Sequence, residues 1–139
     1  MSATAAALCL ILGAKTVGLA ADRFTLAWTH SVEHTDWQED YVLRGGSLVL
    51  TEARIEGTGA GMEPPPNAVL RAGWWHYVPD LQPLSELRLT LSPFTADYRF
   101  CWSGQCRPLA ALVGAQTPQG IVIVHACVRP TGTARTTIK

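Results

Sequence analysis

From residue 23 onward, apolar side chains recur at every second position, the period of a strand with one buried face. In RFTLAWT, Phe24, Leu26 and Trp28 fall on one face and Thr25, Ala27 and Thr29 on the other. DWQEDYVLR continues with Trp37, Tyr41 and Leu43 among acids, and SLVLTEARIE alternates through Leu48, Leu50 and Ile55. Gly45 and Gly46 separate these two runs and predict a hairpin turn. Shorter segments follow: AVLRA, WWHYV, ELRLTL, DYRFCW, QCRPLA and IVIVHACV. Only LAALVG, 109–114, has the make-up of a helical turn. GTGAGMEPPPN, 57–67, can be neither strand nor helix, because its glycines and three consecutive prolines forbid both. Many short strands with regular turn signals predict an all-β fold, a single-domain antiparallel β-sandwich or partly open barrel.

The first twenty residues break the pattern. ATAAALCLILGA, 3–14, carries no charge, and Gly18-Leu19-Ala20 offers small residues where a signal peptidase could cut before Ala21. The segment therefore reads as an N-terminal apolar leader helix, cleaved as a signal peptide or kept as a membrane anchor. The expected organisation is a leader over 1–20, an all-β domain over 21–130 and a polar tail over 131–139. A periplasmic location follows, either soluble or tethered to the inner membrane by the N-terminal segment.

Charge narrows the partners. Across 139 residues, Lys plus Arg and Asp plus Glu each total 11, so no basic face is available for nucleic acid. Export changes the meaning of the four cysteines. Cys101 and Cys106 flank WSGQ between two β segments, which sets them opposite each other across a hairpin and predicts a disulfide. A reduced pair and a metal clip are the alternatives. Cys9 falls in the leader, and Cys127 is left as an odd, buried thiol.

HSVEH, 30–34, spells H-x-x-E-H, a zinc-peptidase pattern when it lies on a helix. RFTLAWT before it alternates as a strand. The extended backbone is expected to continue through His34, so His30 and His34 should stand roughly 13 Å apart, too far to share one metal. A Ser31-centred hydrolase also fails, because neighbours on a strand face opposite ways and no G-x-S-x-G elbow is present. No metal, cofactor or catalytic residue is expected. HSVEHTDWQED nonetheless crowds histidines and acids at the end of an apolar strand, as a solvated edge or as a polar lip that binds a ligand or protein.

HSVEHTDWQEDYVLRGGSLVLTEARIEGTGAGMEP resembles the family known as domain of unknown function 1850. His30, Ser31, Val32, Glu33 and Thr35 occupy its opening H-S-V-E-x-T motif. Glu39 and Tyr41 match its next strand, and Gly59, Ala60, Gly61 and Met62 its G-A-G-[LM] loop. ELRLTLSPFTADYRFCWSGQCRPL is similar to the C-terminal half of longer members, cysteine pair included, so the likeness covers about 24–113. His34 falls on a free position of the motif, and Trp37 stands where a small aliphatic residue is common. The resemblance implies a companion of tripartite ATP-independent periplasmic (TRAP) transporters whose solute receptor is of the TAXI type (TRAP-associated extracytoplasmic immunogenic). It implies no catalytic activity.

The expected function is thus a non-enzymatic, exported accessory subunit that contacts a TRAP membrane subunit or a TAXI receptor. The expected contact surface is His30, Ser31, Glu33 and Glu39 with the glycine loop at Gly59, Gly61 and Met62, where another backbone could approach closely. In GWWHYVP, Trp74 and Trp75 should face opposite ways, one into the core and the other, with His76, toward a partner or membrane. The competing expectation is a small-molecule binding module for a carboxylate, with Arg54, Arg71 or Arg99 pointing into an aromatic pocket.

Overall fold

A computed structural model describes residues 4–30, 34–57 and 64–130, with side chains described from Leu8 to Cys127. The expected polar tail, 131–139, lies outside the described residues. Eleven strands and one short helix are described: β1 (Thr4–Leu12), β2 (Lys15–Leu19), β3 (Arg23–Thr29), β4 (Asp36–Arg44), β5 (Ser47–Glu56), β6 (Val69–Arg71), β7 (Trp74–Tyr77), β8 (Leu87–Leu91), β9 (Arg99–Trp102), β10 (Gln105–Pro108), α1 (Leu109–Leu112) and β11 (Gly120–Pro130). They form two antiparallel sheets, ordered β2-β1-β11-β8 and β10-β9-β3-β4-β5-β7-β6. The sandwich expectation holds, and neither sheet closes into a barrel.

Alternation built the larger sheet. Phe24 sits opposite Tyr41 and Leu26 opposite Phe100 in the strand register. Phe24 stacks between Tyr41 and Phe100, with ring centroids 5.0 and 4.7 Å away. Leu8, Leu10, Leu89, Val122 and Val124 meet these rings from the four-stranded sheet to form one core. Gly45 and Gly46, both at positive φ, make the two-residue turn from β4 to β5. α1 starts after Pro108, where the Asp97 carboxylate accepts from the Ala110 N–H, and it buries Leu109 and Val113.

Three expectations need correction. The N-terminal apolar run is no leader helix: β1 lies between β2 and β11, and Leu8 and Leu10 are fully buried. Gly13 at φ +60° turns β1 back into β2, pairing Leu12 with Lys15. Cys9 and Ile11 between the leucines keep the run apolar on both faces, which hides the period of two. Among the described residues no helix is long and apolar enough to cross a membrane.

Cys127 is not an odd thiol, because it is bridged to Cys9 across the β1–β11 pair, while Cys101 bonds Cys106 as expected. β3 ends at Thr29, and neither His30 nor His34 continues it. Thr29 pairs directly with Asp36, the His30 N–H donates to the Thr35 carbonyl at 2.8 Å, and the His34 N–H donates to the His30 carbonyl at 2.9 Å. The chain reverses between β3 and β4, with His34 at φ +58°.

Candidate functional site

Antiparallel pairing brings together the strand ends that flank the two motif stretches. β3 ends at Thr29, β4 starts at Asp36 beside it, β5 ends at Glu56 and β7 starts at Trp74, all at one end of the larger sheet. The 30–35 connection and the glycine loop after Gly57 therefore leave from neighbouring strands. The Asp36 N–H donates to the Glu56 carboxylate at 3.2 Å, and the Gly57 N–H to the Gly73 carbonyl at 2.8 Å. Ser31, Glu33, Gly59, Gly61 and Met62 themselves lie outside the described residues.

The face turned toward the other sheet carries aromatic rows at this end. Trp28, Trp37, Ile55 and Trp75 pair in succession across four strands. Trp28 and Trp37 stack at 6.0 Å, Tyr98 meets Trp28 edge-on at 5.9 Å, and the His30 ring stacks on Trp37 at 5.9 Å. Beside them opens a cleft of about 370 Å³ lined by Trp28, His30 and Tyr98 with the hydroxyls of Thr29, Thr90, Ser92 and Thr95. Phe94, on the loop that forms one wall, is 92% exposed.

Glu39 belongs to the next row, paired with Leu26 on one side and Ala53 on the other, with Tyr77 opposite Ala53. Trp37 and Tyr41 flank it two residues away on the same face of β4. The Tyr41 hydroxyl donates to the Glu39 carboxylate at 2.8 Å. Burial first, then the Glu39 charge and this hydrogen bond, push Tyr41 far above its ordinary value. Tyr77 and Tyr98 are also raised, by burial and then by the same carboxylate.

The opposite face holds a compensated network. Arg54 donates to both Asp40 oxygens at 2.7 and 2.8 Å, to Glu52 at 2.6 Å and to Gln38 at 2.9 Å. Burial alone would raise the Asp40 carboxyl, but hydrogen bonds from Arg54 and Thr25 hold it below its ordinary value. His76 Nδ1 lies 3.5 Å from Glu52, and Arg71 3.9 Å. Trp74 and Trp75 do face opposite ways: Trp75 pairs with Ile55 on the inner face, Trp74 with Glu56 on the outer, and both are half-buried. A Cβ on Gly57 would sit 2.8 Å from Trp75 Nε1, so the glycine lets this indole lie against the chain where the loop begins.

His30, Glu39 and Trp75 thus share the inner side of one end, whereas Trp74 and His76 lie on the other face. Tyr77 and Tyr98 went unnoticed in the sequence although the alternation of WWHY and DYRF could have marked them. A family model described as a domain of unknown function (DUF1850) matches residues 24–109, from β3 into the first residue of α1. No curated protein and no solved structure matches the chain. The chain belongs to the DUF1850 family.

Proposed function

We propose that this DUF1850 member is a periplasmic, non-catalytic accessory subunit of a TAXI-type TRAP transporter that docks through the end of the sandwich carrying His30 and Glu39. The observation that supports the docking end is the register: the strand ends that flank the H-S-V-E connection and the G-A-G-M loop are adjacent, beside a row of tryptophans. Aromatic side chains with one apolar and one polar edge are the residues on which protein interfaces depend most. The transporter as partner rests on the resemblance of the motifs. Two disulfides support an oxidising, extracytoplasmic setting.

The carboxylate-binding alternative draws no support from the geometry. Arg54 turns to the outer face and is saturated by acceptors, and Arg99 also faces outward, 3.7 Å from Asp36. Arg71 lies at the sheet edge and is exposed. The test is capture of tagged, full-length protein from membranes in mild detergent. Recovery of a TRAP membrane subunit or TAXI receptor is expected, and recovery of neither contradicts the proposal.

A further inference from the structure

We propose that Glu39 is the anion of a binding site for a cationic group, an alkylammonium or guanidinium, held between its carboxylate and the aromatic rings flanking it. This deepens the docking reading above and rests on it for the location of the site.

Glu39 is the single carboxylate among the described residues of β9, β3, β4, β5 and β7 that faces the other sheet. Among the described residues no Lys, Arg or His makes an ion pair with it, and its one hydrogen bond comes from Tyr41. An ionised carboxylate has about four acceptor sites, so most of its capacity is open. The contrast with the outer face is informative. There Asp40 and Glu52 share Arg54, and Asp36 faces Arg99.

The surroundings suit a cation. Trp37 and Tyr41 stand two residues either side on the same face, where spacing along a strand is about 7 Å. Tyr77 and Tyr98 lie within the field of the carboxylate. Aromatic faces attract ammonium and guanidinium groups, and a carboxylate among them adds a charge-assisted hydrogen bond.

The experiment titrates the full-length, oxidised protein with butylammonium and butylguanidinium, and with butanol and butyrate as neutral and anionic controls, following tryptophan fluorescence and heat. Saturable binding of the cations alone is expected, weakened about tenfold or more in Glu39→Gln and reduced by salt. Circular dichroism establishes that the variant folds; if it does not, discrimination by the unaltered protein between butylammonium and butanol decides the matter. Equal responses to both, no saturable response to either cation, or undiminished binding in folded Glu39→Gln overturns the proposal.

The source of the cation follows from repeating the transporter capture with butylammonium present. Competition assigns the site to a partner's Lys or Arg, and undisturbed capture assigns it to a free cationic solute. Capture without cation binding defeats this inference and leaves the docking reading standing. Cation binding without capture does the reverse.

Discussion

At Arg54 one guanidinium gathers acceptors from two strands, Asp40 and Gln38 on β4 and Glu52 on its own, and Glu52 in turn lies beside His76 on β7. Removing it leaves two half-buried carboxylates facing each other. Arg54→Ala should therefore lower stability by about 2 kcal/mol, read from urea denaturation at neutral pH. Asp40 gives this network its pH dependence. Its carboxyl is held below the ordinary value of 3.8, so its contribution is complete above that value and is lost as pH falls through the lower, folded value. Asp40→Asn should flatten the acid limb of a stability-against-pH curve; an unchanged limb would show that other carboxylates set it. Period-two reading separates the two faces of β4, placing Asp40 outward and Glu39 inward. What it could not supply is the partner of each charge, because that depends on which strands become neighbours.

Among the elements, β4 and β5 were legible to their ends, since bulky residues alternate cleanly with polar ones and Gly45-Gly46 marks the turn, whereas β3 was legible from its start but stops at Thr29, short of the expected extension through His34. β1 and β2 were not. A strand in the middle of a sheet, with leucine on one side and cysteine or isoleucine on the other, looks uniformly apolar in one dimension. Its cross-strand bond to Cys127, 118 positions away, has no local signal. Two outcomes follow. Deleting residues 1–20 removes Leu8, Leu10 and Leu19 from the core and should leave a protein without cooperative thermal unfolding; a sharp transition in the truncated chain would contradict the placement of β1. In the chain-entropy account, losing the Cys9–Cys127 bridge costs about 5 kcal/mol against about 2 kcal/mol for Cys101–Cys106. Cys9→Ala with Cys127→Ala should thus lower the urea midpoint well below that of the Cys101/Cys106 double variant, and equal midpoints would refute the ranking.

For the whole molecule, the antiparallel order of the larger sheet sets the strand ends that flank the two motifs side by side at one end. Phe94 projects from the loop joining β8 to β9 at that end, beside the cleft lined by Trp28 and His30. Arg44, at the far end of β4, is exposed and remote from both motifs. The sequence signalled the motifs as a candidate surface, but only the register showed that their flanking strands are neighbours and that Trp74 and His76 face away. The most direct measurement is site-specific photo-crosslinking in membranes, with benzoylphenylalanine at Phe94 or at Arg44 of the full-length protein. The account predicts crosslinks to a TRAP membrane subunit or TAXI receptor from position 94 and none from position 44. Crosslinks to either protein from position 44 alone would contradict it.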